Sequence, residues 1–272
     1  MEGNTRENRG SWVTLLVAGL LVAGCSAQSD DTEASGPGRS PSATASPGPG
    51  ATPSGASTAG SVFTPDASLV PKTARAGRSL AEAVVFTPDD WGRGFVAQTP
   101  AESSAGTWPV LGEDCRWQRE KLPDGVLAGL SRYSVQSGTG GEGAVKVTAA
   151  ATVHASVLGA DQQLATTLEE VLRCPDQRPR DGERITGLNS VGTPFGAREQ
   201  NYADDSVIEI GSYTEGGGAA QPYRWTVARL GTVVVAVSVT GSKDHTQDEL
   251  NQLGSDALAR MLERVQQQLK GK

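Results

Sequence analysis

Hydrophobic positions are spread along the chain in two unlike ways. Residues 11–23, SWVTLLVAGLLVA, form one apolar run, and residues 26–60 then contain no Leu, Ile, Val or aromatic residue. Apolar residues return with regular spacing from about Gly77. RSLAEAVVFTPDDW (78–91) predicts a short helix, then a turn in which Thr87 caps and Pro88 takes the first helical position. SRYSVQS (131–137) alternates polar and apolar residues and predicts a strand. The loop GTGGEG and a longer strand, AVKVTAAATVHA (144–155), follow it.

The period then changes. Leu164, Leu168, Val171 and Leu172 fall at i, i+4, i+7 and i+8, the single stripe of an amphipathic helix, which CPDQRPRDG stops. RITGL (184–188) and SVIEIGSYTE (206–215) predict strands. YRWTVARLGTVVVAVSVTG (223–241) predicts a hairpin pivoting at Leu230-Gly231. In the last segment Thr246 and Glu249 have capping-box spacing, and Leu250, Leu253, Ala257, Met261, Leu262, Val265 and Leu269 form one apolar face. Strands outnumber helices, and their connections allow hairpins. The expected class is α+β: a twisted antiparallel sheet with the two long helices packed on one face.

The opening run is too short for a spanning helix, which needs about 20 residues. Arg6 and Arg9 precede it and small residues follow, the layout of a signal peptide over residues 1–24. Leu21-Val22-Ala23-Gly24-Cys25 resembles the lipobox of bacterial lipoproteins, in which the cysteine thiol receives a diacylglycerol and the chain is cut just before it. Residues 25–60, rich in Ser, Thr, Ala, Gly and Pro, cannot bury enough apolar surface to offset their ordering entropy, so a disordered linker is expected. It would hold the folded domain, residues 61–272, about 30 Å from a lipid anchor on the outer face of the cytoplasmic membrane.

Charge narrows the partners. Residues 1–24 hold two acidic and two basic side chains, so their removal leaves the net charge at −7. No Lys/Arg cluster accompanies this acidity, and nucleic acid is excluded as a partner. Cys115 and Cys174 form an even pair in a chain expected to be exported, most simply a disulfide; a catalytic thiol is the alternative, and neither cysteine has a histidine near in sequence.

The sequence carries little recognisable catalytic chemistry. GLNSVG lacks the spacing of a nucleophile elbow, no H-E-x-x-H occurs, and GTGGEGAVK lacks the ending of a phosphate-binding loop. His154 and His245 stand apart, so no metal and no cofactor is expected. Asp89-Asp90, Glu169-Glu170 and Asp204-Asp205 read as solvated surface pairs. The scarce aromatics Trp91, Trp108, Trp117, Trp225, Tyr133, Tyr213 and Tyr223 either line a cleft or serve as core and rim packing. Trp225 and Tyr223, at the start of the hairpin, are the first candidates for ligand binding.

The succession FTPDDWGRGF, EDCRWQRE, a helix ending in LEEVLRCP, GTPFGAREQNY, VARLGTVVVAVSV and a final helix resembles the PknH-type extracytoplasmic sensor domain of actinobacteria. That family occurs fused to receptor serine/threonine kinases and as free-standing lipoproteins. The resemblance covers roughly residues 80–269, and its most specific parts are Cys115 and Cys174. It implies a non-enzymatic binding domain with a cleft. This chain departs from kinase-linked members, which typically carry two disulfides, a kinase and a spanning helix. The expectation is a lipid-anchored domain that binds a small ligand or an envelope protein. The alternatives are a cell-envelope hydrolase with a carboxylate pair not identifiable from sequence, and a structural adaptor for a membrane protein.

Overall fold

The computed structural model describes residues 63–138, 143–191, 203–241 and 245–271. The apolar run, Cys25, the polar segment 26–60, most of the GTGGEG loop and all of GTPFGAREQNY lie outside these residues. Helix α1 (Ala74–Val84) starts at Thr73, whose side chain accepts from the Ala76 amide, and it buries Gly77, Leu80, Ala81 and Val84 along one stripe. A Cβ on Gly77 would sit 2.9 Å from the Leu127 Cβ, so only glycine lets α1 lie this close to the sheet. Helix α2 (Pro88–Trp91) is one turn long, with Pro88 at its first position.

Nine strands follow: β1 (Phe95–Glu102), β2 (Thr107–Leu111), β3 (Trp117–Lys121), β4 (Val126–Gln136) and β5 (Val145–His154) precede helix α3 (Val157–Arg173). After it come β6 (Glu183–Ser190), β7 (Asp205–Glu215), β8 (Gln221–Leu230), β9 (Val233–Thr240) and helix α4 (Gln247–Leu269). Seven strands form one antiparallel sheet in the order β1-β4-β5-β9-β8-β7-β6, and β2 with β3 forms a separate ribbon. The β8–β9 hairpin pivots where expected. Gly231, at φ 59°, takes the left-handed position of its two-residue turn.

Pairing register decides what each face of the sheet presents. Val147, Ala149, Ala151 and Val153 of β5, with Val233, Val235, Val237 and Val239 of β9, turn to one face and pack beneath α1 and α4. Their neighbours Ala150, Val234 and Ala236, with Val207 and Val227, turn to the other face and pack against Ala160 and Leu164 of α3. The two long helices therefore cover opposite faces of the sheet, which corrects the expectation of both on one. The cause is topological: α3 must carry the chain from β5, third in the sheet, to β6 at its far edge, so it crosses one face, leaving the other to α1 and α4. The unbroken Val-Val-Val-Ala-Val of β9 is the sequence signature of a strand covered on both sides.

Helix α3 also turns differently from its predicted stripe. Ala160, Leu164, Thr167 and Val171 are buried, while Leu168 and Leu172 are exposed. Asp90 is no solvated surface charge either. Its carboxylate accepts from the Thr87 amide at 2.8 Å, closing the cap of α2, and pairs with the Arg264 guanidinium on α4 at 2.5 Å. Arg264 also lies over the Phe86 ring, 4.8 Å from its centroid. Burial alone would raise the Asp90 pKa, but Arg264 and Thr87 outweigh it and hold it at about 2. The stability Asp90 contributes is present above its unfolded value and is lost as pH falls towards 2. Asp90→Asn is expected to cost about 2 kcal/mol at pH 7. Urea unfolding of both proteins at pH 7 and pH 2.5 checks this, since the gap must narrow at the lower pH.

Candidate functional site

The α3 face of the sheet is not uniform along its strands. Reading across the register, the row Ser131–Ala150–Ala236–Val227–Val207 is mostly small or apolar. Two residues further along, the row becomes Tyr133–Thr148–Ser238–Trp225–Glu209, and the next holds Lys146, Thr240 and Tyr223. Helix α3 covers the apolar row. The polar and aromatic rows are left open as the floor of a cleft of about 510 Å³, a size suited to a small organic ligand.

One wall is α3, through Gln163, Thr166, Thr167 and Glu170; the opposite wall is the β2–β3 ribbon, through Trp108, Trp117 and Arg119. The ribbon belongs to no large sheet and is held by specific tethers. Cys115, just before β3, is bonded to Cys174 at the end of α3. The Arg173 guanidinium donates to the carbonyls of Leu111 at 3.1 Å and Gly112 at 3.0 Å. Trp117 Nε1 donates to Gln177 Oε1 at 2.8 Å, and Gln177 Nε2 donates to the Cys174 carbonyl at 3.1 Å. Cys115 and Cys174 are thus fastenings of the cleft wall.

Of the seven aromatics singled out in the sequence, Trp108, Trp117, Trp225, Tyr133, Tyr213 and Tyr223 line the cleft. Trp91 does not: it is buried in the opposite core between Phe86 and Phe95, with ring centroids 5.2 and 6.1 Å away. Trp225 and Tyr223 sit at adjacent rows of the floor. The Tyr223 hydroxyl has its pKa raised, first by burial and then by the Glu209 charge, so it remains a donor at neutral pH. Burial, Glu183 and Glu215 do the same for Tyr213.

The cations around the cleft are already occupied. Lys146 pairs with Glu215 and lies over the Tyr213 ring. Arg180 stacks on Tyr133, 4.7 Å from the ring centroid, and Arg119 donates to the Tyr133 hydroxyl at 2.9 Å. His154, edge-on to Trp108, bonds the side chain of Gln163; burial lowers its pKa, with Gln163 acting in the other direction.

Two carboxyls on the cleft lining have no such partner. Glu209 is 5 % exposed, and its Oε1 has no hydrogen-bond partner. Burial, then the charge of Glu170, raises its pKa to about 7. Glu170 is likewise raised to about 7 by burial, with Arg173 opposing and Glu169 adding to the rise. Neither was a candidate in the sequence, where Glu169-Glu170 reads as an exposed pair and Glu209 as one polar residue of a strand. Their setting depends on α3 lying over β7, a long-range fact. Among the described residues, no three His, Cys, Asp or Glu side chains converge to hold a metal ion.

No protein-family model matches the chain, and no curated protein matches it. Among solved structures, the extracellular domain of PknH from Mycobacterium tuberculosis aligns at 12 % identity over 75 % of this chain and 99 % of that one, with TM-score 0.46. An uncharacterised protein from Mycobacterium smegmatis aligns at 13 % identity over 52 % of this chain and 68 % of that one, with TM-score 0.27. No helix among the described residues is long and apolar enough to cross a membrane.

A buried carboxyl whose pKa is raised makes the folded state hold a proton that the unfolded chain loses. The contribution of Glu209 to stability therefore declines as pH rises from about 5 through 7. His154, with its lowered pKa, acts in the opposite direction as pH falls through its ordinary range, so comparison with a variant isolates the carboxyl. Glu209→Gln is expected to raise stability by about 1–3 kcal/mol at pH 8 and by much less at pH 5. Chemical denaturation at both pH values checks it; a loss of stability at pH 8 would show that the carboxylate has a stabilising partner.

Proposed function

We infer that the chain is an extracytoplasmic lipoprotein whose sensor-like domain binds a ligand in the cleft without transforming it, with Trp225 and Tyr223 as its stacking surface. The observation that carries this reading is the segregation of aromatics. Six of those whose rings carry a polar handle line one cavity, where Trp225, Tyr223 and Tyr213 also pack on the small cores beneath α3, while Phe86, Phe95 and Trp91 fill the main core. Packing needs no such partition; recognition of a ligand with both apolar and polar surface does. The lipobox-like LVAGC, ending at Cys25, and the polar segment behind it support an anchor and a spacer. A disulfide between Cys115 and Cys174 agrees with export to an oxidising compartment.

One observation favours a hydrolase as the second reading, namely the carboxyls of Glu170 and Glu209 on one cleft. Hydrolytic acid and nucleophile pairs are set apart in pKa by unlike environments. Burial raises both of these, and neither stands in an environment that would keep it an ionised nucleophile beside a protonated acid. Turnover of envelope glycans that requires both residues would reverse this order.

The test of binding is a thermal-shift screen of envelope lipids, muropeptides and sugars against the full chain. A ligand at 100 times its dissociation constant should stabilise the fold by about 2.7 kcal/mol. Trp225→Ala should abolish the shift, and an unchanged shift in that variant would move the site elsewhere. Cys25→Ala should release the protein into the medium or leave it unprocessed, as fractionation and mass spectrometry of the N-terminus would show. A variant still membrane-bound and cut at the same position would refute the anchor.

A further inference from the structure

We propose that Glu209 and Glu170 form a recognition site for an organic cation, a protonated amine borne on a body that stacks against Trp225. This rests on the reading of the cleft as a ligand site and specifies the chemistry of the ligand.

Three observations meet at this point. Glu209 is 5 % exposed, lines the cleft, and has an Oε1 without any hydrogen-bond donor. A buried carboxylate with an empty acceptor position is costly to keep, and nothing in the fold requires it there. The neighbouring row positions, Ser238 and Thr148, show that a small neutral side chain fits the same floor. Second, no Lys or Arg forms a salt bridge with Glu209 or Glu170 among the described residues, although Lys146, Arg119 and Arg180 line the same cleft and the charge of Arg173 acts on Glu170. The lining cations are committed to Glu215, Tyr133 and Glu183. The cleft thus carries a carboxylate pair awaiting a donor of opposite charge. Third, Trp225 is the direct cross-strand neighbour of Glu209, with Tyr223 one row away. A carboxylate beside an aromatic face is the combination that attracts an ammonium group from both sides: charge-assisted hydrogen bonds to the oxygens and the quadrupole of the ring for the body of the cation.

An anion is disfavoured beside Trp225, because it would meet the like charges of Glu209 on the floor and Glu170 on the wall. A neutral sugar could stack on Trp225 but would leave the charge of the pair uncompensated. An amine compensates it, and binding then depends on both partners being ionised. Glu209 is faced by Glu170 from α3 and Tyr223 from β8, and Glu170 also by Arg173 and Glu169 on its own helix; Glu183 of β6 and Tyr213 of β7 line the same cleft. Lys146, Arg119 and Arg180 also line the cleft, and His154 is buried beside Gln163. With Glu170 and Glu209 both near 7, lowering pH from 8 to 5.5 protonates the site and weakens binding.

The experiment titrates the full chain, purified in detergent, with phenethylammonium, its neutral counterpart phenethyl alcohol, phenylpropionate and N-acetylglucosamine, following tryptophan fluorescence and calorimetry. Phenethylammonium is expected to bind at pH 8 at least about 10-fold more tightly than the alcohol. Its affinity should fall by about 10- to 30-fold at pH 5.5. In Glu209→Gln its affinity at pH 8 should drop by about 10- to 100-fold, and its fall towards pH 5.5 should become shallower, since only Glu170 still titrates. Trp225→Ala should weaken every probe alike. Preferential binding of the sugar, the alcohol or the anion would overturn the cation site while leaving the cleft as a ligand site. Absence of binding by all four would overturn both. Thermal unfolding of Glu209→Gln keeps the test sound, and the pH dependence of the unmodified protein gives a reading that needs no variant.

Discussion

The pairing register of β5, β9, β8 and β7 is the constraint on which the molecule depends. Side chains along a strand alternate faces, so a slip of one residue would exchange every core valine with its cleft-facing neighbour. Val233, Val235, Val237 and Val239 fix the register by burying one face under α1 and α4. Once they are inward, Ser238, Trp225 and Glu209 are forced into one row on the other face. The cleft is therefore a by-product of core packing in its position, though not in its chemistry. Evolution is free to choose what stands in that row, and here the choice is aromatic and acidic.

The second element of the design is the clamp on the ribbon. A two-stranded ribbon is marginal alone, and the strands β2 and β3 have mostly exposed or half-exposed side chains. The Cys115–Cys174 bond, Arg173 and the Trp117–Gln177 pair attach it to the end of α3 and the segment that follows. A bond closing a loop of 59 residues removes much of the entropy that the free ribbon would otherwise regain, by the chain-entropy account about 4 kcal/mol. Trp108, Trp117 and Arg119 consequently face the floor as a fixed wall.

Local signals in the chain predict some of this well. The β8–β9 hairpin, the capping box of α4 and the turn at Pro88 rest on short-range physics, and each lies where its residues place it. Strands β1 to β3 are illegible for a physical reason: β1 is an edge strand with one buried residue of eight, so it has no period to read. The outward turn of Leu168 and Leu172 likewise reflects which stripe of α3 the sheet selects. The opposite placement of α3 and α4 follows from strand order, which no local pattern encodes. At the site, scarcity marked Trp225 and Tyr223 as candidates. Glu170 and Glu209 gained their interest only when α3 was laid across β7.

The proposed ligand is held at the cleft floor. The tryptophan indoles test this directly, because Trp108, Trp117 and Trp225 line the cleft and Trp91 is buried in the opposite core. Two-dimensional NMR of the indole N–H groups during addition of phenethylammonium should move the Trp225 signal most. Trp117 and Trp108 should follow it, and Trp91 should stay in place. A stationary Trp225, or a Trp91 that moves as far, would contradict the account.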